Sequence, residues 1–256
     1  MATARAYRRR SECEDHAHYA VTGPDGSERQ IFDPNYGKYR QYHRTFARAF
    51  SVNPWTSEEM YDSRRAREEL GYKHSTWTWR CIMRQRYGHV VTCPGFVQDL
   101  VNFAPPAGYV EIGAGCGYVA WLLRQAGVDV VAYDRRPARY FGTGEPRGPY
   151  EAEWVYKRHS CLWAPVNIGD AEDARRHPDR ALLLCWPPHW NTMATRALLA
   201  HAHAGGTDVA YAGDWYACGR PGSREMLQLD YTEIDDWALP SHDGCRDHLY
   251  LYRRSA

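Results

Sequence analysis

The residues with the clearest chemical potential are a run of spaced glycines and the carboxylates beside it. The segment from Glu111 to Gly117 reads EIGAGCG and follows an apolar stretch, and Asp134 ends the next apolar stretch. Glycine lets the backbone approach a ligand closely, and a helix that follows offers free N–H groups. A carboxylate at the end of the neighbouring strand can accept hydrogen bonds from both hydroxyls of a ribose. The pattern favours a nucleoside cofactor, with a glycine-rich turn without ligand as the alternative.

The glycines also match part of the G-x-G-x-x-G pattern that binds dinucleotides. Counted from Gly113, the sixth position is Tyr118 rather than glycine or alanine. The sequence therefore lacks the small residue that allows close contact between helix and strand in a pyrophosphate-binding loop. A cofactor without a pyrophosphate fits better, which favours S-adenosylmethionine (SAM) over NAD.

The elements that must position these residues follow from hydrophobic patterning. From Tyr109 onward, short apolar runs alternate with helical stretches, which predicts an α/β fold with a doubly wound, mostly parallel sheet. The predicted strands are Tyr109–Ile112, Val128–Tyr133, Ala181–Cys185, Asp208–Ala212 and Leu249–Tyr252. The predicted helices are Pro94–Phe103, Tyr118–Gln125, Ala171–His177 and Met193–His203, and the stretch Met226–Trp237 is predicted to be mixed.

The first 105 residues are polar and rich in aromatic residues, and no strong strand is predicted there before about Val90. Turn spacing predicts a helix over Thr56–Leu70, and a second helical patch begins near Trp77. We therefore predict a mainly helical cap over residues 1–105 and a cofactor-binding core over residues 106–256. Aromatic side chains of a cap could enclose an acceptor and exclude water, with a small cap core as the alternative. The candidate acceptor-binding residues are Trp79, Tyr87, His89 and Trp190.

Residues 109–134 resemble motifs I and II of class I SAM-dependent methyltransferases, in which an acid, a G-x-G-x-G loop and a second acid follow one another. The resemblance implies the Rossmann-like methyltransferase fold with seven strands, SAM as cofactor and S-adenosylhomocysteine as product. It also implies that Glu111 supports the methionine amine, that Asp134 holds the ribose and that Arg135 lies near the adenine. Asp170 resembles the family's adenine-binding acid, and a helix N-cap is the alternative. The implied cofactor residues are Glu111, Gly113, Ala114, Gly115, Gly117, Asp134, Arg135, Asp170, Ala171 and Cys185.

The segment from Cys185 to Trp190 reads CWPPHW and follows the most apolar strand, so it is expected at the ligand edge of the sheet. Its position resembles that of the Asn/Asp-Pro-Pro-aromatic motif of amino-group methyltransferases, but Trp186 replaces the polar residue and His189 the aromatic one. This departure disfavours nucleobases and protein amines and is compatible with a small acceptor on an aromatic wall. His189 is the predicted general base, since a neutral imidazole takes up a proton near neutral pH. Trp186 is the second catalytic candidate; a surface histidine and edge packing are the alternatives.

Composition narrows the classes of partner. The 256 residues carry a formal net charge of +1, so no global attraction to nucleic acid or anionic lipid is expected. The apolar runs are too short for a membrane helix or a signal peptide. Eight cysteines without a CxxC pair predict free thiols, a cytoplasmic location and no metal site. The expected partner is a small-molecule acceptor, and a homodimer is compatible with the sequence.

The leading hypothesis is a class I SAM-dependent methyltransferase of a little-characterised small-molecule group. It would methylate an N or O atom in bacterial secondary metabolism. One alternative keeps the fold but catalyses elimination, cyclisation or aminocarboxypropyl transfer, which the altered Pro-Pro segment favours. Another is a non-catalytic partner subunit, which the intact acids and glycines disfavour.

Overall fold

The computed structural model describes residues 17–40, 83–84, 87–135, 162–219, 221–241 and 245–254. In chain order, the strands are β1 (His18–Thr22), β2 (Glu28–Phe32), β3 (Tyr109–Ile112), β4 (Val130–Asp134), β5 (Asn167–Ile168), β6 (Ala181–Cys185), β7 (Asp208–Gly213), β8 (Tyr231–Ala238) and β9 (His248–Arg254). The helices are α1 (Pro94–Phe103), α2 (Tyr118–Gln125), α3 (Met193–His203) and α4 (Pro221–Asp230). A 3₁₀ helix spans Ala171–Arg176, and residues 34–40 are also helical.

Seven strands form one sheet in the spatial order β5-β4-β3-β6-β7-β9-β8. The first five in this order are parallel, and β9 pairs antiparallel with both β7 and β8. The chain proceeds outward from β3 to β5 and then crosses back to β6 on the other side of β3. Ligands of open α/β sheets bind at such a reversal, beyond the carboxyl ends of the strands. The predicted Rossmann-like, mostly parallel seven-stranded sheet is thus confirmed.

Both faces of the sheet are buried, as its apolar strands predict. Side chains alternate along a strand, so Tyr109 packs on the side of α1 and α2, whereas Val110 and Ile112 pack on the side of α3. By the same alternation Glu111 faces α2, together with Asp134 of β4 and Cys185 of β6. Three candidate site residues therefore share one face at the carboxyl edge.

Several predicted boundaries agree with the structure to the residue, among them those of α2, β3, β6 and α3. Pro94 occupies the first turn of α1, where its missing N–H costs no hydrogen bond. The predicted mixed stretch resolves into the end of α4 followed by β8. The helix expected from Ala171 is a 3₁₀ helix that ends at Arg176.

The hairpin β1–β2 corrects the expectation that no strand precedes Val90. Its strands pair from His18 with Phe32 to Thr22 with Glu28, and Gly23 N donates to Ser27 O across the turn at 2.8 Å. One side chain is buried in each strand, Val21 in β1 and Ile31 in β2. The alternation of buried and exposed residues is therefore too weak to predict these strands from the sequence. The predicted helix Thr56–Leu70 lies outside the described residues, and the division at residue 105 stays a prediction.

Candidate functional site

The glycine loop joins β3 to α2 at the point where the sheet order reverses. Gly113 N and Ala114 N both donate to Tyr133 O, at 2.8 and 3.0 Å, which ties the loop to the end of β4. All three glycines have left-handed backbones, with φ of 78° at Gly113, 56° at Gly115 and 70° at Gly117. Residues other than glycine rarely adopt these backbone angles. The path of the loop backbone therefore explains why glycine stands at all three positions.

The three glycines differ in what surrounds them. A Cβ at Gly113 would lie 2.7 Å from Met193 Cε, and one at Gly117 would lie 2.8 Å from Val166 Cγ2. A Cβ at Gly115 would meet no heavy atom of the described residues within 4 Å. Gly113 and Gly117 thus allow close packing within the protein, whereas Gly115 borders open space where a ligand could approach the backbone.

Asp134 and Glu111 place two carboxyl groups beside this loop. Asp134 Oδ2 accepts a hydrogen bond from Gly115 N at 3.0 Å, which fixes both the loop and the carboxylate. Arg135, the next residue, is exposed. Glu111 is 2% exposed, and burial raises the pKa of its carboxyl to about 8, aided by the negative charge of Asp134. The N–H of Ala120 and the charge of Arg124 act in the opposite direction on this pKa.

One oxygen of Glu111, Oε2, has no hydrogen-bond partner among the described residues. A buried acceptor without a donor costs free energy, so such an atom is a place where a bound group is expected. An ammonium or another donor of a ligand would satisfy it.

Asp170 acts as the N-cap of the 3₁₀ helix. Its Oδ1 accepts from Glu172 N at 3.0 Å, and Asp173 Oδ2 accepts from Asp170 N at 2.8 Å. Arg196 also lies 3.5 Å from Asp170 Oδ2. The capping alternative is therefore realised, and Ala171 is fully buried in the first turn. The adenine contact predicted for both residues stays a prediction.

Trp186 follows β6 and has a φ of 51°, the one positive φ recorded at a non-glycine position of the described chain. Its backbone N–H donates to Ala212 O at 2.7 Å, and its indole N–H donates to Asp247 Oδ1 at 2.6 Å. Its ring stacks on that of His89, with centroids 5.1 Å apart and planes 20° apart. The guanidinium of Arg84 lies over the same ring at 5.9 Å and also hydrogen-bonds His89 Nε2. The candidates Trp186 and His89 therefore pack against each other in the structure.

The other candidates have different surroundings. His189 and Trp190 are both exposed, and their rings meet edge to face at 5.0 Å. Tyr87 is 4% exposed and packs on Tyr118 and Trp163 in the apolar core. Cys185 is half-buried, and burial raises the pKa of its thiol well above the usual range. Trp79 lies outside the described residues.

Asp33 and Asp247 are buried carboxylates that the sequence analysis did not identify. Asp33 is 0% exposed and accepts hydrogen bonds from Tyr19, Tyr36, Thr92 and Tyr118. Asp247 is 2% exposed, and Leu239 N donates to its carbonyl at 2.7 Å. Neither residue belongs to a motif, and most of their partners are distant in the chain, so no local signal indicated them.

Within the described residues, no group of three or more His, Cys, Asp or Glu side chains could hold a metal ion. A search of the same residues finds no helix with the length and apolarity needed to cross a membrane.

No protein-family model matches the chain, and no curated protein matches it. Among solved structures, it is similar to magnesium protoporphyrin IX methyltransferase from Synechocystis PCC 6803 with bound SAM, at 11% identity over 83% of this chain and 90% of that chain, with a TM-score of 0.40. It is also similar to the N-methyltransferase NodS from Bradyrhizobium japonicum WM9, at 13% identity over 62% of this chain and 94% of that chain, with a TM-score of 0.38. An rRNA methylase from Streptococcus thermophilus matches at 13% identity over the same shares, with a TM-score of 0.39.

Proposed function

We propose that the protein is a SAM-dependent methyltransferase that methylates an N or O atom of a small molecule. The observation that carries the proposal is the buried Glu111 oxygen, which lacks a partner in the described chain. It belongs to the strand that leads into the loop where Gly115 borders open space. Asp134 holds the amide of Gly115 from the next strand. An unsatisfied acid, an open glycine and a second acid suit a cationic nucleoside better than a neutral apolar ligand.

The residues at this edge fit the cofactor. Bound there, SAM supplies a methyl group on a positively charged sulfur, which an acceptor atom attacks in line. Glu111 would accept from the amine and Asp134 from the ribose hydroxyls. The other proposed cofactor contacts are Gly113, Ala114, Gly115, Gly117, Arg135, Asp170, Ala171 and Cys185.

The acceptor is proposed to lie against Trp186. Because its indole N–H is bonded to Asp247, Trp186 presents a ring surface rather than a hydrogen bond to the acceptor. His89 extends this aromatic wall. A wall of this kind suits a planar or apolar part of a small molecule and orients it for attack. Tyr87, Trp79 and Trp190 are the other proposed acceptor contacts.

His189 is proposed as the general base of this reaction. Its ring is exposed on the loop that directly follows β6, where it can meet an acceptor that enters from solvent. His89 suits the role less, since Arg84 hydrogen-bonds its Nε2. The near-neutral charge supports a small acceptor over nucleic acid. Secondary metabolism in a bacterial cytoplasm remains the proposed setting.

The first test is calorimetry with SAM and S-adenosylhomocysteine on the full chain. Binding is expected for the wild type and for Glu225→Gln, a control at an exposed position of α4, and a loss of at least about tenfold in affinity is expected for Asp134→Ala. Failure of the wild type to bind either compound would overturn the proposal.

The second test identifies the reaction. The protein is incubated with SAM carrying a deuterated methyl group and with pooled small-molecule extracts, and the products are examined by mass spectrometry. A labelled product heavier by one methyl group in place of a hydrogen supports methyl transfer. Transfer of the aminocarboxypropyl group instead, which leaves methylthioadenosine, would replace the proposed reaction with the alternative.

A further inference from the structure

Tyr118 links the glycine loop to the N-terminal segment. It is the residue that stands where a dinucleotide loop needs a small side chain, and it begins α2 directly after Gly117. Its ring is 1% exposed, and its hydroxyl donates to Asp33 Oδ1 at 2.8 Å and accepts from Asn35 N at 3.1 Å. The loop is thus bonded to a segment that precedes it by more than 80 positions.

The Asp33 carboxylate gathers four segments of the chain. Oδ1 accepts from Tyr36 N at 3.0 Å, from Thr92 Oγ1 at 2.9 Å and from Tyr118. Oδ2 accepts from the hydroxyl of Tyr19 in β1 at 3.0 Å. Hydrogen bonds to a buried carboxylate are among the stronger ones in proteins. The group is therefore a rigid junction between the hairpin, the helix over residues 34–40, the segment before α1 and the glycine loop.

A second support of the same loop comes from Trp163. The ring of Trp163 packs on that of Tyr118, with centroids 5.0 Å apart, and Trp163 N donates to Cys116 O at 3.0 Å. A Cβ added at Gly117 would come too close to Val166 and Ala164. Tyr118 thus has two supports, of which Asp33 is the polar one.

We infer that Asp33 is a positioning residue for the cofactor loop, which it holds in place through the hydroxyl of Tyr118. Segment 17–40, which carries no recognisable motif, is then a functional part of the cofactor site. The identity of the ligand rests on the proposed function, whereas the support of the loop does not. Sites that bind tightly need such outer contacts, because small displacements of the backbone lose much of the binding free energy.

A matched pair of variants tests this inference. Tyr118→Phe and Thr92→Val each remove one hydroxyl that donates to the same oxygen of Asp33, but Tyr118 alone of the two belongs to the loop. Calorimetry with S-adenosylhomocysteine is expected to show an affinity about tenfold weaker for Tyr118→Phe and within about twofold of the wild type for Thr92→Val. Asp33→Ala should weaken binding at least as much as Tyr118→Phe, because it removes the acceptor of that hydroxyl. Adding Tyr118→Phe to Asp33→Ala should weaken binding no further.

Hydrogen exchange of the amides of residues 113–119, measured without any ligand, forms the second arm. Faster exchange is expected in Tyr118→Phe and Asp33→Ala but not in Thr92→Val. Equal effects of Tyr118→Phe and Thr92→Val in both assays would overturn the inference in favour of a general loss of stability, as would no effect of Tyr118→Phe. A wild type that binds no S-adenosylhomocysteine would sink the proposed function, and the exchange arm would still decide the inference.

Discussion

Glu111 is the residue whose charge state bears most directly on the proposed cofactor site. Burial raises the pKa of its carboxyl from 4.5 to about 8, so the folded protein keeps a proton that the unfolded chain releases above pH 4.5. The raised pKa stabilises the folded state fully below pH 4.5, and this contribution is lost as the pH rises toward 8. A cationic ligand at Oε2 would favour the ionised form and release the proton.

Glu111→Gln is therefore expected to change the pH dependence of stability. Between pH 5 and pH 9 the melting temperature of the ligand-free wild type should fall relative to that of the variant, because glutamine has no proton to lose. Thermal unfolding across this pH range measures the difference, with Glu225→Gln at an exposed position of α4 as the control. Parallel curves for wild type and variant would contradict the raised pKa of Glu111.

Trp186→Phe should destabilise the protein through Asp247. The change keeps an aromatic ring but removes the indole N–H, which leaves a carboxylate that is 2% exposed without that donor. The expected loss is about 1–3 kcal/mol in the free energy of unfolding, measured by urea denaturation. In a cycle with Asp247→Ala, the loss in the double variant should be smaller than the sum of the two single losses; full additivity would show that the pair does not interact.

His189→Gln tests the proposed base. Once an acceptor is identified, turnover near neutral pH should fall about 100-fold, with binding of S-adenosylhomocysteine unaffected. Unchanged turnover, with a large loss in His89→Gln instead, would move the base to the aromatic wall.

At the scale of elements, the glycine loop combines ligand access with internal packing. Alanine is strained at both Gly115 and Gly117, by roughly 1–2 kcal/mol, because both have a positive φ. At Gly117 the added methyl also lies 2.8 Å from Val166 Cγ2 and 3.0 Å from Ala164 O. Gly117→Ala should therefore be the more destabilising change in thermal unfolding.

Gly115→Ala should instead act mainly on binding. Its methyl group points into space that the described residues leave open and that the cofactor is proposed to occupy. Calorimetry with S-adenosylhomocysteine should show at least about a tenfold loss of affinity at a modest cost in stability. The reverse order, with Gly117→Ala weaker in binding and Gly115→Ala less stable, would refute this division of roles.

At the scale of the whole molecule, the N-terminal region and the sheet share one apolar core. Val21 and Ile31 of the hairpin belong to the same cluster as Leu122 and Leu123 of α2. We still propose a division of the chain near residue 105, but the two parts bury each other's apolar surface. Removal of the first part would expose the side chains of α2 that now lie beneath it.

The fragment 106–256 is therefore expected not to fold on its own. Calorimetric unfolding should show no cooperative transition, while the full chain unfolds in one. A fragment that melts cooperatively near the temperature of the full chain would establish an independent core domain and contradict the shared core.

Local signals in the sequence were sufficient to predict the strands of the sheet and the conformation of the glycine loop. Fully apolar runs such as Ala181–Cys185 and the spacing of Gly113, Gly115 and Gly117 are local signals, and strand burial and left-handed backbone follow from them directly. The alternation of strands and helices then predicted the doubly wound fold. The hairpin was missed, since its strands are largely polar and depend on α1 and α2 for cover.

The polar residues that support the site could be identified only from the tertiary structure. Asp33 meets Tyr118 across 85 positions and Asp247 meets Trp186 across 61, and neither pair has a spacing that a local pattern could record. The same holds for the open space at Gly115, whereas the cap formed by Asp170 is local and was one of the two roles that the sequence indicated. Hydrophobic periodicity specifies what is buried, whereas the pairing of buried polar groups depends on chain segments that meet only after folding.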